Sequence, residues 1–409
     1  MDVFVARQPI FDRRRRLYAY ELLFRSDPTC NGLSDTDDSS TTSQVVANTL
    51  FAVGLENILC GKKAFINFGR NLIVNELQSI LPKDKTVVEV LENVEPDADV
   101  LAACRKLRSQ GYAIALDDFV YSPRMEPLTK VANLIKVDFR STPREEQVRL
   151  LRTYRPRGIQ MLAEKVETNE EYEWAHSEGF DYFQGYFFAR PAIVRGRQIP
   201  VSKVSCIRLL QEAQKTDLDF DKLTVLISED VGFSYKLLRF VNSALFPHRK
   251  EIHSIVQALV TLGEPDIRRW VAVAALPRLA ADKPHELIVH SLMRAYFSEA
   301  IARSSNVKNS GDAFLAGLFS LLDALIDLPL DAALAEVSLA PRIARVLKGT
   351  APESDDLANV IKLVHCYETA NWDGVDAASR KLGMDETVAG EAYRNAAIWA
   401  NRVLSVGAN

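Results

Sequence analysis

The chain has 409 residues, of which 47% are hydrophobic, and its formal net charge is −4. This length predicts two or three domains with apolar cores, and the charge lacks the basic excess expected if the whole chain bound nucleic acid or an anionic membrane. The five cysteines are scattered without a C-x-x-C pair, which argues against a zinc ribbon or a disulfide framework and favours a reducing cytosol. Because the N-terminus lacks a signal-peptide pattern and no apolar run nears the ~20 residues of a membrane span, we expect a soluble cytoplasmic protein.

Short runs of β-branched and aromatic residues recur along the first half of the chain, and most are almost continuously apolar. Such runs are typical of strands that are covered on both faces. Helical patterns separate the later runs, at 97–111, 145–154 and 169–179. Eight strand-like runs that mostly alternate with helices predict a compact, TIM-like β/α barrel. The runs are residues 3–6, 17–24, 64–68, 86–92, 113–119, 134–139, 158–166 and 183–188.

Only a charged turn, Arg13–Arg14–Arg15–Arg16, separates the first two runs. These strands are predicted to pair antiparallel, because a parallel crossover needs far more chain. The arginines are interpreted as a solvated hairpin turn rather than a phosphate-binding patch. The polar segment 34–43 is predicted to be a surface loop.

After Pro191 the strand-like runs give way to amphipathic helical patterns. Segment 254–263 is typical: Ser254 and Gln257 form a capping-box pattern, and Gly263 ends the helix. The pattern predicts an all-α second half.

The domain boundary is placed in the proline- and charge-bearing stretch 190–203, which gives an α/β barrel at 1–195 and a helical domain at 196–409. Residues 390–404 predict a final amphipathic helix, packed on the helical domain or on a partner.

A polar or charged residue lies in or just after nearly every strand-like run. The carboxyl ends of barrel strands converge on one mouth, so these side chains are expected to meet there. Several carboxylates at one place repel one another unless cations neutralise them, and hard oxygen ligands suit Mg²⁺, Mn²⁺ or Ca²⁺ better than zinc or iron. With two cations, such a mouth can clamp a phosphodiester for hydrolysis. The alternative is that each of these is an unrelated surface residue. This becomes less probable as more strand ends carry a polar residue. The residues are Glu21, Asn67, Glu89, Asp117, Asp118, Lys136, Asp138, Glu164 and Gln184.

Eight short motifs follow one another along the first half of the chain: RQPIFD (7–12), YELLFR (20–25), AFINF (64–68), VVEVLE (87–92), LDDF (116–119), IKVD (135–138), AEKVE (163–167) and QGYFF (184–188). In their composition and their order they resemble the motifs of EAL domains.

This resemblance implies a bacterial cyclic di-GMP signalling barrel. It implies Mg²⁺ or Mn²⁺ as cofactor, with Ca²⁺ binding without supporting turnover. The implied metal ligands are Glu21, Asn67, Glu89, Asp117 and Asp118; the implied catalytic residues are Lys136 and the base Glu164. Gln8, Arg25, Asp138 and Gln184 would contact the nucleotide, and Glu92 and Glu167 would support the site from behind the ligands.

The sequence departs from the EAL pattern at two places. Active EAL enzymes usually follow the aspartate pair with Phe-Gly-Thr-Gly, but here Phe119 is followed by Val120, Tyr121 and Ser122, for which a positive-φ turn is costly. The glycine that usually follows the base is replaced by Lys165, which is expected to bring an ammonium near the metal mouth. Changes in the residues that hold the metal ligands in place reduce catalysis more than they reduce binding. A barrel that binds its ligand but is inactive or weakly active is therefore favoured.

Segment 226–263 resembles the core of HDOD domains, which look like relatives of HD-type phosphohydrolases that have lost their metal site. None of the six histidines is followed by aspartate, so the usual histidine–aspartate centre cannot form. Asn242 and Ser243 lie in an apolar helix and are predicted to find polar partners there. His290 is interpreted as an ordinary helix residue. The helical half is therefore predicted to be a non-catalytic protein-interaction module.

Three functions stay open at this point. In the first, a signalling adaptor, the barrel binds or formerly bound cyclic di-GMP with a divalent metal, and the HDOD domain contacts a protein partner. The second is an active metal-dependent phosphodiesterase that yields linear pGpG. The third is a protein scaffold that is independent of nucleotide. A homodimer is compatible with all three, and neither a membrane nor direct nucleic-acid binding is expected.

Overall fold

The computed structural model describes residues 4–25, 59, 61–75, 81–189, 201–215, 217–243, 252–305, 307–337, 339–385 and 387–407. The chain forms two compact units: 1–190 with 365–379 and 385–409, and 191–364 with 380–384. The predicted loop at 34–43 and the predicted division after residue 195 lie outside the described residues.

Eight strands close into a barrel in chain order. The first strand pairs antiparallel with the second and the eighth, and all other neighbours pair parallel. The predicted barrel with an antiparallel first strand is therefore confirmed. The strands are β1 (Phe4–Asp12), β2 (Leu17–Arg25), β3 (Lys63–Phe68), β4 (Thr86–Val90), β5 (Ala113–Leu116), β6 (Leu134–Asp138), β7 (Gln160–Glu164) and β8 (Tyr182–Gln184).

The predicted turn between β1 and β2 is stabilised by its own side chains. The Asp12 carboxylate accepts hydrogen bonds from the backbone N–H groups of Arg14 and Arg16, at 2.8 and 2.9 Å. Arg13 is less solvated than the sequence indicates, because its guanidinium donates to the Phe180 carbonyl at 2.5 Å. The arginine run therefore closes the hairpin and also ties it to the segment before β8.

Helices flank the later strands, as predicted. The helix at 98–110 begins at Asp97, whose carboxylate accepts from Val100 N–H, and ends at Gly111 with φ 98°. The helix at 169–178 begins with a capping box between Thr168 and Glu171. The barrel helices are α1 (Arg70–Val74), α2 (Ala98–Gln110), α3 (Glu126–Thr129), α4 (Arg144–Tyr154) and α5 (Asn169–Glu178), with 3₁₀ turns at Arg155–Arg157 and Tyr186–Ala189.

Small and large apolar side chains fill the barrel interior as one layer. The layer is buried and contains one residue from each of the strands β1 to β7. Tyr18, Ala113 and Tyr182 pack against it. Such a layer is a packed core rather than a pore. Its members are Ile10, Ala19, Phe65, Val87, Ala115, Leu134 and Leu162.

Gly185, directly after β8, permits a close approach between two backbone segments. Its φ is 138°, and a Cβ there would lie 2.1 Å from the carbonyl oxygen of Val166. Gly158 has a φ of 81° but no described atom within 4 Å of such a Cβ. We expect Gly185→Ala to cost at least about 3 kcal/mol of unfolding free energy, since the backbone must move, and Gly158→Ala only about 1 kcal/mol of conformational strain. Equal losses for the two variants in guanidinium denaturation would contradict this reading.

The second unit is helical. The long helix α9 is interrupted at Gly263, whose φ of 72° confirms the predicted helix stop. Ser254 is the N-cap residue, but its side chain makes no capping hydrogen bond, so the predicted capping box with Gln257 is wrong. The helices after the barrel are α6 (Val201–Ala213), α7 (Phe220–Ser228), α8 (Val231–Val241), α9 (Ile255–Leu279), α10 (His285–Ser304), α11 (Ser310–Phe319), α12 (Leu322–Ile326), α13 (Leu330–Val337), α14 (Pro341–Leu347), α15 (Asp356–Glu368), α16 (Trp372–Leu382) and α17 (Thr387–Gly407). Across the described part of the chain, no helix is both long and apolar enough to cross a bilayer.

The final helix α17 belongs to the first unit and packs on β1, whereas the sequence placed it on the helical domain or on a partner. The Tyr393 hydroxyl accepts a hydrogen bond from the Arg7 N–H at 3.3 Å. Tyr367 is fully buried, donates to the Val5 carbonyl at 3.5 Å and has its ring centroid 4.7 Å from that of Tyr393. The end of the chain therefore covers one strand of the barrel.

An ion pair between Asp230 and Arg278 joins the start of α8 to the end of α9. Arg278 makes two hydrogen bonds to the carboxylate, one of them 2.8 Å long, and Asp230 also accepts from Phe233 N–H. These bonds, the Arg278 side chain first, lower the pKa of Asp230 to about 2.

The lowered pKa predicts a pH dependence of stability. A carboxyl whose folded pKa lies below its unfolded value stabilises the fold above about pH 4, and this contribution is lost as the pH falls towards about 2. Both side chains are partly exposed, so we expect about 1 kcal/mol. The Asp230→Asn variant retains a cap on α8 but should lose less stability than the wild type between pH 5 and 2.5 in urea denaturation. Parallel losses in the two proteins would contradict it.

Candidate functional site

Seven of the nine polar residues predicted at the barrel mouth lie directly above the apolar layer. Each of the seven is two residues from a member of that layer or from a residue packed on it, and side chains two residues apart in a strand point to the same face. On β4, for example, Val87 belongs to the apolar layer and Glu89 lies above it. The same step relates Ala19 to Glu21, Phe65 to Asn67, Ala115 to Asp117, Leu134 to Lys136, Leu162 to Glu164 and Tyr182 to Gln184. Asp118 and Asp138 do not follow this step.

Lys136 lies at the centre of this polar layer and is fully buried. Its Nζ is 2.7 Å from Glu89 Oε1, 2.7 Å from Asp117 Oδ1 and 2.8 Å from Glu164 Oε1. Glu21 Oε2 is 3.4 Å away. The ammonium thus holds together four acids that lie in or directly after four different strands. The structure brings these predicted site residues into one cluster, called the acid cluster below: Glu21, Glu89, Asp117, Lys136 and Glu164.

Amide side chains from β1, β3 and β8 surround Glu21. Gln184 Nε2 donates to Glu21 Oε2 at 2.5 Å and to Gln8 Oε1 at 3.1 Å. Asn67 Nδ2 donates to Glu21 Oε1 at 3.3 Å. Both amide nitrogens therefore face Glu21, and each amide oxygen is left for another partner.

Buried oxygen atoms without a hydrogen-bond partner surround the acid cluster. Among the described residues these include Asn67 Oδ1, Glu89 Oε2, Asp118 Oδ1 and Glu164 Oε2. Buried acceptor atoms normally receive a hydrogen bond, so a group of them without one indicates that they bind a cation instead. Asp117, Asp118 and Glu164 each offer an oxygen within 4.8 Å of the others, the one group of three acidic, histidine or cysteine ligands in the described residues. Oxygen donors of this type fit Mg²⁺, Mn²⁺ or Ca²⁺.

Burial changes the acidity of the cluster. Burial raises the pKa of Glu89 and of Glu164 well above the usual value, although Lys136 opposes the shift. Burial disfavours the charged form of Lys136, yet the surrounding carboxylates, Glu164 first, raise its pKa well above its usual value. The mouth has more carboxyl groups than ammonium groups, so a divalent cation there would relieve repulsion.

Lys165, the residue after Glu164, brings a second ammonium to the mouth, as expected from the sequence. Its Nζ is 2.6 Å from Asp138 Oδ2 and 3.4 Å from Asp118 Oδ2. Asp138 also accepts from the backbone N–H of Arg140 at 2.6 Å. Despite partial burial, hydrogen bonding to Asp138 and the charge of Asp118 raise the pKa of Lys165 to about 12. Lys165 is therefore protonated at neutral pH and lies beside one of the candidate ligands.

The loop after the aspartate pair avoids the turn that glycine would permit. Neither Val120 nor Ser122 adopts a positive φ; instead Asp118 does, at 37°. Val120 is 71% exposed and Tyr121 42% exposed. The residue with the left-handed backbone beside this loop is therefore Asp118, a candidate ligand.

Four predicted residues lie away from the acid cluster or cannot be assigned to it. Glu92 is exposed in the turn after β4, and Glu167 is exposed after β7, 3.5 Å from Arg140. Gln8 is half-buried on β1 and reaches the cluster through Gln184. Arg25 ends β2, and its side chain lies outside the described part of the structure.

Sequence reasoning missed Arg140. Its guanidinium donates to both carboxylate oxygens of Glu171, at 2.8 and 2.7 Å, and to the carbonyl of Lys165 at 3.3 Å. It thereby holds the segment after the candidate base against α5. The sequence could have indicated Arg140, because it lies only two residues after Asp138, at the end of β6 that faces the mouth.

Of the polar residues singled out in the second unit, the side chains of Asn242 and His290 have described partners and that of Ser243 does not. Asn242 exchanges two hydrogen bonds with the backbone of Ile252, at 2.7 and 2.8 Å, which confirms its predicted structural role. Ser243, its predicted companion, has a buried hydroxyl without a hydrogen-bond partner among the described residues. His290 is buried on α10, with Nε2 3.7 Å from Glu286 Oε1.

The fold and the acid cluster define a class: a closed β/α barrel with a lysine-centred acidic mouth, followed by a helical unit. Two family models match the chain, the EAL domain over residues 63–191 and the HDOD domain over residues 199–332.

Two curated relatives match almost the whole chain. YuxH of Bacillus subtilis, an uncharacterized protein, is 34% identical over 412 residues, which cover 99% of each chain. The cyclic di-GMP phosphodiesterase CdgJ of Vibrio cholerae is 34% identical over 386 residues, 93% of this chain and 88% of that protein. The chain belongs to the family of proteins that join an EAL domain to an HDOD domain.

Solved structures match the barrel half. Klebsiella pneumoniae BlrP1 in complex with calcium and cyclic di-GMP is 25% identical over 47% of this chain and 56% of that chain, with a TM-score of 0.39. A standalone EAL protein of Vibrio cholerae with cyclic di-GMP is 24% identical over 46% of this chain and 92% of that chain, with a TM-score of 0.37. The family assignment rests on the sequence matches above.

Proposed function

We propose that the barrel binds cyclic di-GMP together with divalent cations, and that the helical unit passes the bound state to a protein partner. The observation that carries this proposal is the acid cluster around Lys136, with its buried and unpartnered oxygens. An acidic mouth repels a phosphodiester unless cations neutralise it, so binding should require Mg²⁺, Mn²⁺ or Ca²⁺. The 34% identity to CdgJ over 93% of the chain supports this nucleotide as the ligand.

In this proposal the cations would be held by Glu21, Asn67, Glu89, Asp117 and Asp118. Asn67 supports this role because its nitrogen already donates to Glu21, which leaves its oxygen for a cation. Gln8 and Gln184, whose amides share a hydrogen bond between β1 and β8, are proposed as nucleotide contacts. Arg25 and Asp138 are proposed as further nucleotide contacts.

Hydrolysis to linear pGpG is the second candidate, and the geometry around Glu164 favours it. Divalent cations would supply charge neutralisation of the phosphodiester and acidify the attacking water. Lys136 holds Glu164 Oε1 at 2.8 Å, so Oε2, which has no hydrogen-bond partner among the described residues, is left to accept a proton from a water. The changed loop at 119–123 and the ammonium of Lys165 both favour binding over rapid turnover.

The helical unit is proposed as the protein-interaction module. Several large apolar side chains are exposed on α7, α8 and α9, three helices that pack against one another. Exposed apolar residues grouped on neighbouring elements are a common feature of interaction surfaces. They are Val225, Val231, Tyr235, Val256 and Val260, which are 51–84% exposed.

Calorimetry and product chromatography together test the proposal. Cyclic di-GMP is titrated into the full chain with Ca²⁺ and, separately, with EDTA; the protein is then incubated with the nucleotide and Mn²⁺ or Mg²⁺. We expect Ca²⁺-dependent binding that is lost in EDTA. No binding with any cation would overturn the proposal and favour the nucleotide-independent scaffold.

The Glu164→Gln variant separates binding from hydrolysis. The change keeps the size of the side chain but removes its capacity as a base, so it should retain binding. If the wild type forms linear product, the rate of product formation in the variant should be lower by a factor of at least about 10². Linear product that is unchanged in Glu164→Gln would rule out this residue as the base.

A further inference from the structure

Lys165 occupies a backbone position that suits glycine. Its φ is 54°, in the left-handed region, which costs a residue with a Cβ on the order of 1 kcal/mol. Two contacts hold the conformation: Arg140 Nε donates to the Lys165 carbonyl at 3.3 Å, and the Lys165 ammonium binds Asp138 Oδ2 at 2.6 Å. The fold therefore accepts a strained backbone and places an ammonium at the mouth.

That ammonium also reaches the candidate cation ligands. It lies 3.4 Å from Oδ2 of Asp118, which belongs with Asp117 and Glu164 to the group of close ligand atoms. The other oxygen of Asp118, Oδ1, is buried and has no hydrogen-bond partner among the described residues. One side of this ligand thus faces a fixed positive charge while the other is left for a cation.

We propose that Lys165 is a tethered counter-ion of the mouth, which neutralises Asp118 and Asp138 and so reduces the number of divalent cations that the site binds. The inference rests on the proposed cation site. An ammonium in contact with a ligand carboxylate repels any divalent ion that shares this carboxylate. With Lys165 present, the mouth therefore binds fewer divalent cations than its number of carboxylates would lead one to expect.

Manganese binding to the full chain tests this role without relying on activity. Free Mn²⁺ is counted by electron paramagnetic resonance during titration, first with the metal alone and then with cyclic di-GMP present. Three variants are compared with the wild type: Lys165→Met, which removes the ammonium and its hydrogen bond to Asp138 but keeps a long side chain; Lys165→Gly, which also relieves the backbone; and Lys165→Arg, which keeps the charge. Circular dichroism confirms that each variant is folded.

We expect Lys165→Met and Lys165→Gly to bind one more Mn²⁺ per chain than the wild type, or to bind the weakest Mn²⁺ about tenfold more tightly. Lys165→Arg should titrate like the wild type. A Lys165→Met variant with the wild-type stoichiometry and affinity would overturn the inference. Weaker Mn²⁺ binding in this variant would also overturn it, since Lys165 would then position ligands rather than compete with a cation.

The outcomes separate this inference from the proposed function. If the wild type binds Mn²⁺ and cyclic di-GMP but the variants do not differ from it, only the inferred role of Lys165 is wrong. If Lys165→Met binds an additional Mn²⁺ while no protein binds the nucleotide, the role of Lys165 is supported and cyclic di-GMP is wrong as the proposed ligand. If no protein binds Mn²⁺ at all, both are wrong.

Discussion

Replacing Lys136 with methionine is expected to cost about 3–5 kcal/mol of unfolding free energy, because it leaves buried carboxylates around an uncharged side chain. Lys136 is fully buried, with three carboxylate oxygens at 2.7 to 2.8 Å. Guanidinium denaturation of the variant and the wild type in EDTA measures this loss. The matched control is Lys165→Met, the same change at a lysine whose side chain is 52% exposed, which should cost less than about 1 kcal/mol.

The same variant tests whether the acid cluster accepts divalent cations. Without the central ammonium the carboxylates need another counter-charge, so Ca²⁺ should raise the melting temperature of Lys136→Met more than that of the wild type. The absence of any response to Ca²⁺ in both proteins would contradict a cation site among these acids, and an equal response of both would show that the cation does not replace the missing ammonium. A stability loss no larger than that of Lys165→Met would contradict the central role of the ammonium.

Truncating Tyr393 to alanine is expected to destabilise the barrel by about 3–5 kcal/mol, although this residue is far from the barrel in sequence. Tyr393 is buried, its ring packs on Tyr367, and its hydroxyl accepts from the Arg7 N–H on β1. Tyr393→Phe removes only the hydroxyl and should cost about 1 kcal/mol.

Glu391→Ala, an exposed position on the same helix, is the control and should change stability by less than about 0.5 kcal/mol. Denaturation followed by a probe of the barrel, such as loss of cyclic di-GMP binding, assigns the effect to that unit. If Tyr393→Ala and Glu391→Ala are equally stable, the end of the chain does not support the barrel.

The barrel and the polar layer of its mouth could be predicted because each depends on local sequence. Strands covered on both faces are apolar throughout, so a lone acid such as Glu89 in TVVEV is conspicuous, and the two-residue step from Val87 places it inside. Closure in chain order then brings these residues together without further information.

Other features depend on contacts that sequence patterns do not specify. The amphipathic pattern of residues 390–404 shows that one face is buried but does not identify its partner, which is β1. The capping-box pattern at Ser254 gave the correct helix start but not the capping bond. The central place of Lys136 among the acids is a matter of three-dimensional distance, and its sequence neighbours do not reveal it.

The position of a bound cation decides whether the acids at the barrel mouth hold a divalent metal. Crystals of the full chain grown with Mn²⁺ and cyclic di-GMP would be measured at the manganese absorption edge, where an anomalous difference map locates the metal. We expect a peak at coordinating distance, about 2.2 Å, from oxygens of Asp117 and of neighbouring acids at the barrel mouth, with a phosphate of the nucleotide beside it. Nucleotide bound elsewhere on the protein, with no manganese peak among these acids, would contradict it.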